Sequence, residues 1–180
     1  MTGLIVGRFQ PFHRGHLATV ADLRRAHPGA PLLLVIGSAQ ESFTAENPFT
    51  AGERVEMIQR ALSEARIDGC LPIPVPDIHQ HAQWVAYLQG LVPAFDVIYT
   101  NNPLTRLLFE RAGIRVELPP LIEREKFQGV VVRRRLAHRE NWQELVPPAV
   151  ARYIEEIGGP ERLRRIAERS AALATTHPGS

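Results

Sequence analysis

Cysteine is nearly missing from this chain: of 180 residues, only Cys70 carries a thiol. One cysteine closes no internal disulfide, which fits a reducing compartment. A nucleophilic cysteine needs a base partner, and none stands near Cys70, which begins an apolar stretch and reads as a packed thiol. Long apolar runs are missing as well. Nothing approaches the roughly 20 residues that span a bilayer. The start of the chain has no basic segment leading into an apolar one, so no secretory leader is expected and the cytoplasm is the expected location. An excess of one charge is also missing. Lys and Arg number 21 against 19 Asp and Glu, a formal net charge of +2. That is too little to demand nucleic acid or a membrane surface as a partner. The arginines do cluster, at 133–135 and between 162 and 169, and such runs read as solvated helix faces. Two phosphate-binding signatures are absent: the Gly-x-Gly-x-x-Gly fingerprint and the loop ending Gly-Lys-Ser/Thr. No Ser-His-Asp or Cys-His set is evident.

What is present suits one globular unit. Hydrophobic residues make up 44% and charged residues 22%, ordinary values for a packed soluble domain. Apolar runs of strand type lie at Leu4–Val6, Leu32–Ile36, Leu71–Val75 and Val97–Tyr99, with a weaker one at Arg115–Leu118. Between them lie stretches of helical periodicity: Gly15–Ala26, Ala51–Ala65, Ala82–Leu91 and Pro103–Arg111. Strand and helix in alternation predict a parallel sheet covered on both faces. Strands buried on both faces need not alternate apolar with polar residues, and Leu32–Ile36 does not. Beyond Pro120 the pattern is helical, at Val130–His138, Pro147–Ile157 and Glu161–Ala172. Proline at 147 and 160 suits helix starts, and Gly158-Gly159 suits a stop. The expected fold is α/β: a single Rossmann-like domain over 1–170, with a five-stranded parallel sheet flanked by helices, C-terminal helices, and a flexible tail at 171–180. There are no repeats and no dividing linker.

In such sheets, ligands bind beyond the carboxyl ends of the strands, where the strand order reverses. Three segments fall there: Gly7–His16, Gly37–Arg54 and Thr100–Pro103. The first is the most informative. Gly7-Arg8-Phe9-Gln10-Pro11-Phe12-His13-Arg14-Gly15-His16 leaves a strand and opens a helix. The N–H groups of a helix start lack internal partners, and the macrodipole favours an anion there. His13 and His16 are three apart and share one side of the first turn. Gly15 lets a ligand approach the backbone closely. A zinc pair is the competing reading, but no further ligand lies at metal spacing.

Phe12-His13-Arg14-Gly15-His16 resembles the H-x-G-H signature of the nucleotidyltransferase superfamily. With Gly37-Ser38-Ala39-Gln40, Asn47–Arg54 and Val132-Arg133-Arg134-Arg135, the chain resembles the archaeal-type nicotinamide-nucleotide adenylyltransferases over residues 3–160. That family joins ATP to nicotinamide mononucleotide (NMN), giving NAD and pyrophosphate. The attacking phosphate is already an anion, so the chemistry asks for alignment and charge screening more than for a base.

The resemblance implies roles. His13, His16, Arg8 and Arg133 are the expected catalytic groups. ATP is expected to contact Gly7, Arg8, Phe9, Gln10, His13, Gly15, His16, Asn102, Gly129, Val132 and Arg133. The acceptor is expected to contact Ser38, Gln40, Phe49, Thr50, Arg54, Asp77 and Trp84. Trp84 would stack on the nicotinamide ring, against the competing reading of a core aromatic. Glu53 is expected to cap its helix or to pair with Arg54. Mg²⁺ would ride on ATP phosphates, with no protein metal cage. The family also implies a homo-oligomer.

Two departures stand out. The family commonly has a basic residue where this chain has Glu46, and Ser-Gly-Thr where it has Gln128-Gly129-Val130. A carboxylate beside polyphosphate is repulsive, and two lost hydroxyl donors forgo about 1.5–3 kcal/mol each. Arg124 and Lys126 are the expected compensation. Three readings therefore stay open: an NMN adenylyltransferase, the same chemistry on nicotinate mononucleotide or another phosphorylated acceptor, and a nucleotide sensor with weakened turnover.

Overall fold

A computed structural model of the chain describes residues 1–119 and 127–176, the side chains of 170–176 excepted. Five parallel strands alternate with four helices. In chain order they are β1 (Gly3–Gly7), α1 (Arg14–Ala26), β2 (Leu32–Ile36), α2 (Ala51–Glu64), β3 (Cys70–Pro74), α3 (His81–Gln89), β4 (Val97–Tyr99), α4 (Pro103–Arg111) and β5 (Arg115–Glu117). Then come α5 (Gly129–His138), a 3₁₀ turn at Gln143–Leu145 that the sequence pattern did not reveal, α6 (Pro148–Glu156) and α7 (Gly159–Thr176). The expected fold class is therefore found. The helix expected at Glu161–Ala172 continues to Thr176, so the expected tail begins as helix; 177–180 lie outside the described residues.

The strands lie in the order β3-β2-β1-β4-β5. β1 pairs with β2 from Gly3↔Leu32 to Gly7↔Ile36, and with β4 from Gly3↔Val97 to Ile5↔Tyr99. The chain thus reverses its direction of travel across the sheet between β1 and β4. The strand ends there open a crevice.

Each face of the sheet carries its own core. On one face Leu32, Leu34, Ile36, Val97 and Tyr99 meet Val20 and Leu23 of α1, Met57 and Ile58 of α2, and α5–α7 through Leu136, Ile154 and Leu163. On the other, Leu4, Leu33, Val35 and Ile98 meet Val85 and Leu88 of α3 and Phe109 of α4. Every residue of β2 is buried, which is why Leu-Leu-Leu-Val-Ile runs without alternation. Full burial of each such side chain contributes about 1.5–3 kcal/mol. β3 begins at Cys70, one residue earlier than expected, and holds Pro72 and Pro74. Proline donates no ladder hydrogen bond, and β3 is an edge strand, where it is tolerated.

Candidate active site

The turn after β1 is organised by its two histidines. His13 is the N-cap of α1. Its Nδ1 accepts the His16 N–H at 3.3 Å, and the His16 Nδ1 accepts the His13 N–H at 3.2 Å. This is a capping box made of imidazoles: each ring satisfies a main-chain donor of the other residue. The rings stack with centroids 3.5 Å apart and planes 13° apart. Phe9 meets the His16 ring edge-on at 4.8 Å, and Phe12 stacks on it at 5.5 Å.

That packing sets the proton inventory. A ring whose Nδ1 accepts a hydrogen bond carries its proton on Nε2 when neutral. Burial pushes the His13 pKa down to about 4. Burial also holds His16 well below the ordinary histidine value, and the nearby His13 adds to the effect. Both rings are thus neutral Nε2–H donors near pH 7. Among the described residues no cluster of three or more His, Cys, Asp or Glu suits a metal ion, so the zinc reading has no support there.

His13, Gly15 and His16 line a cleft of about 510 Å³ at the β1/β4 reversal, together with Phe9, Tyr99, Thr100, Asn101, Asn102, Phe127, Gln128 and Gly129. The starts of α1 and α5 both border it. A second cleft, of about 370 Å³, adjoins it and shares Val6 and Asn102. Gly7, Arg8, Gly37, Ser38, Asp77, His81, Trp84 and Thr105 line this one. His81, Thr105, Thr19 and Phe127 line the clefts without having been singled out from the sequence. Helix starts after β3 and β4 were the available signal for the first two.

Several expected contact residues turn their side chains to other partners. The Gln10 side chain is buried and makes two hydrogen bonds to the Phe49 main chain: its Nε2 donates to the Phe49 O at 2.9 Å and its Oε1 accepts the Phe49 N–H at 3.0 Å. Gln40 does the same for Asp77, at 3.0 and 2.9 Å. These two amides stitch loops together, each spending its Oε1 and one Nε2–H on a single main-chain partner. Phe49 and Val132 have no accessible surface and belong to the core. Thr50 is the N-cap of α2, its hydroxyl accepting the Glu53 N–H at 3.2 Å. Arg54 is fully buried, so its guanidinium does not form a pocket wall. Gly15 has a different use from the expected one. A Cβ there would lie 3.0 Å from the Phe127 Cβ and 3.3 Å from the His13 ring, so its smallness first makes room for the histidine stack. Asn102 caps α4 through Oδ1 to the Thr105 N–H, at 3.0 Å, and lines both clefts.

Arg8, which lines the second cleft, lies close to Arg133 and Glu46. Arg133 donates from Nη1 to the Gln10 O at 2.8 Å and from Nε to the Ala45 O at 3.2 Å. Burial lowers its pKa, Arg8 lowers it further, and Glu46 opposes both. A Cβ at Gly129 would stand 3.0 Å from the Arg133 Nη1 and 3.1 Å from the Gln10 O, so a side chain there would press on that bond. The Glu46 carboxylate lies 3.6 Å from the Arg8 Nη1, both groups being exposed. It therefore faces the cations rather than turning away. Gln128 precedes α5 without a side-chain cap bond; Arg124 and Lys126 lie outside the described residues. Glu53 neither contacts a nucleotide cleft nor pairs with Arg54. It caps Thr50 and forms a two-pronged pair with Arg162, both contacts at 2.7 Å. Arg162, one of a run expected to be solvated, thus pins α7 to the start of α2.

Trp84 lines the second cleft and meets Phe109 edge-on at 5.6 Å. Asp77 lines the same cleft while its Oδ1 accepts the His79 N–H at 2.8 Å.

A doubly wound parallel sheet whose first turn is an H-x-G-H helix start defines a class, the nucleotidyltransferases. The cytidylyltransferase-like family matches residues 4–146. Sequence relatives narrow it. A nicotinamide-nucleotide adenylyltransferase of Saccharolobus solfataricus is 46% identical over 167 residues, 91% of this chain and 95% of that protein. One from Methanolobus tindarius is 45% identical over 163 residues, 91% and 92% of the two chains. One from Halorubrum lacusprofundi is 43% identical over 171 residues, 95% and 96%. The chain belongs to the nicotinamide-nucleotide adenylyltransferase family. Among solved structures, a bifunctional NMN adenylyltransferase/ADP ribose pyrophosphatase from Francisella tularensis superposes with a TM-score of 0.74 at 18% identity, over 99% of this chain but 57% of that one. The same protein complexed with AMP and a manganese ion gives 0.72 at 17%, over 99% and 56%. This chain thus spans a little over half of that bifunctional protein, and the likeness is one of fold. No described helix is long and apolar enough to cross a membrane.

Proposed function

We propose that this protein transfers the adenylyl group of ATP to nicotinamide mononucleotide, forming NAD and pyrophosphate. The observation that carries this reading is the reciprocal histidine cap at the edge of the larger cleft. It leaves two neutral Nε2–H donors beside two helix starts, with Arg8 lining the adjoining cleft and Arg133 bound to the Gln10 carbonyl of the same turn. Such an array suits a triphosphate.

In the reaction, an oxygen of the acceptor phosphate bonds to the α-phosphorus of ATP as the bond from that phosphorus to the bridging oxygen breaks. The electron pair leaves with pyrophosphate. The nucleophile needs no base. The protein aligns two polyanions in adjoining clefts and offsets the charge that grows on the leaving group. His13 and His16 donate hydrogen bonds to the phosphates; Arg133, and Arg8 reaching over from the acceptor side, supply positive charge. A divalent ion suits this site through the nucleotide, because the larger cleft's donors are imidazole and backbone N–H with guanidinium nearby, and among the described residues no group of three or more His, Cys, Asp or Glu gathers to hold one. Mg²⁺ bound by phosphate oxygens would supply further charge neutralisation.

Trp84 offers its indole to an electron-poor ring. The Asp77 carboxylate favours a carboxamide, which donates N–H, over the carboxylate of nicotinate, which it repels. Both support nicotinamide mononucleotide as the acceptor. Purified protein incubated with ATP, Mg²⁺ and NMN is expected to release pyrophosphate and form NAD in equal amounts. Binding of both nucleotides without pyrophosphate release would overturn this function in favour of a sensor. Faster turnover with nicotinate mononucleotide would overturn the acceptor assignment.

A further inference from the structure

The one fully buried charge in the described core is Arg54. A buried guanidinium ordinarily meets a carboxylate. This one meets only main-chain carbonyls. Its Nη1 donates to the Arg8 O at 3.0 Å and the Gly37 O at 2.9 Å, its Nη2 to the Ser38 O at 3.1 Å and more weakly to the Ala39 O at 3.5 Å, and its Nε to the Thr50 O at 3.2 Å. The adjacent acid, Glu53, is committed to Arg162 and to the start of α2. Burial lowers the Arg54 pKa to about 10, and Arg8 contributes in the same direction.

The acceptors share a location. The Arg8 carbonyl belongs to the peptide that enters Phe9, whose φ is 50°, and the Gly37 and Ser38 carbonyls flank Ser38, whose φ is 47°. Both are non-glycine residues held in the left-handed region, where Cβ crowds the backbone. They occupy the first turns beyond β1 and β2, which are neighbours in the sheet. Phe9 lines the cleft assigned to ATP, while Arg8, Gly37 and Ser38 line the cleft assigned to the acceptor. A trans peptide points its N–H opposite to its C=O. Holding the Arg8 and Gly37 carbonyls against the guanidinium therefore fixes the direction of the Phe9 and Ser38 N–H groups as well. The Ala39 N–H, beyond the Ser38 carbonyl, goes to the Val75 O at 3.1 Å, which ties the same clamp to the turn after β3.

We infer that Arg54 is a positioning residue that locks the two strained substrate loops in one mutual geometry, a buried cation serving both strand ends at once. A planar fork is required, because a lysine ammonium at the same depth reaches fewer of these carbonyls and holds none of them in plane. The functional part of this inference rests on the adenylyl-transfer reading; the clamp itself does not.

The test has two arms. In the first, Arg54→Lys is compared with the wild type for NAD formation per folded molecule. Loss of alignment between two bound reactants should appear in kcat, by about 100-fold, with KM for each nucleotide little changed. A kcat per folded molecule equal to wild type would overturn the inference. In the second arm, Ser38→Gly is made in both backgrounds and urea midpoints are measured. Glycine carries no penalty at φ near 47°, so Ser38→Gly relieves strain in full only where the clamp enforces that φ, and it should stabilise the wild type more than the Arg54→Lys protein, with the same concentration of TMAO in all samples so that Arg54→Lys is folded at the start. Equal shifts in the two backgrounds, or a larger one in Arg54→Lys, would overturn the clamp. A wild type that makes no NAD would defeat the functional reading while leaving this second arm decisive.

Discussion

The histidine cap makes acid sensitivity a quantitative test of the site. His13 is 7% exposed and its folded pKa is about 4, against 6.5 for the free ring. Between those values the unfolded chain holds more protons than the native one. Stability therefore falls as pH falls through the window from 6.5 to about 4, and this group adds no further loss below it. The whole window corresponds to about 3 kcal/mol; the part lying between pH 7 and pH 5 is about 2 kcal/mol. The geometry gives the reason: the His13 Nδ1 accepts the His16 N–H, so a proton placed there confronts a donor and is only 3.5 Å, ring to ring, from a second imidazole. His13→Asn keeps an N-cap acceptor and removes the titration. Urea unfolding, followed through the fluorescence of buried Trp142, should be run on both proteins at pH 7 and pH 5. Any loss common to both pH values cancels in the comparison. The wild type should lose about 2 kcal/mol more than the variant on acidification. Equal losses would mean that the stacked pair is not a neutral, desolvated unit. ATP should shrink the wild-type loss at pH 5, because a bound polyanion favours the protonated rings.

Three further outcomes probe separate parts of the site. His16→Ala should lower kcat by more than about tenfold while costing only about 1 kcal/mol of stability through the lost cap; unchanged turnover in a steady-state assay would remove His16 from the phosphate site. Trp84→Ala should raise KM for the mononucleotide more than KM for ATP, and equal changes in both would return Trp84 to a purely structural role. Glu46→Gln removes a carboxylate 3.6 Å from Arg8 and should tighten ATP binding in a calorimetric titration, whereas weaker binding would show that Glu46 assists the nucleotide.

The architecture was legible because its signals are local. Leu32–Ile36 announces a strand covered on both sides, and Pro103 after Asn102 announces a capped helix start; both stand where expected. The position of the two clefts was legible too, since topology places the segments after β1, β2 and β4 at one edge. What residue type could not reveal was direction. Gln10, Gln40, Thr50 and Arg54 have the composition of a binding site, yet each turns its polar atoms onto the main chain. Their partners are up to 46 residues away, and no periodicity carries that pairing.

The inward turn of these side chains follows from what such a site demands. Its loops must present N–H groups and cations to two polyanions, so those loops cannot adopt regular secondary structure and their carbonyls lose ladder partners. A buried carbonyl without a donor costs free energy, and left-handed residues such as Phe9 and Ser38 add strain. Long amide and guanidinium side chains meet both demands from beneath: Gln10 ties the β1 turn to the Phe49 main chain, Gln40 ties the β2 turn to Asp77, and Arg54 joins the β1 and β2 turns. On the proposed reading the groups left to touch substrate are few and lie near the helix starts, while Gln10, Gln40, Thr50 and Arg54 of the motif strings hold the loops in place. Substitutions in those strings should accordingly separate into two kinds. Those at His13, His16, Asp77 and Trp84 should act through contacts with one substrate, whereas those at Gln10, Gln40 and Arg54 should lower kcat with KM for each nucleotide little changed, because each of these shifts a whole loop and with it the alignment of the two substrates.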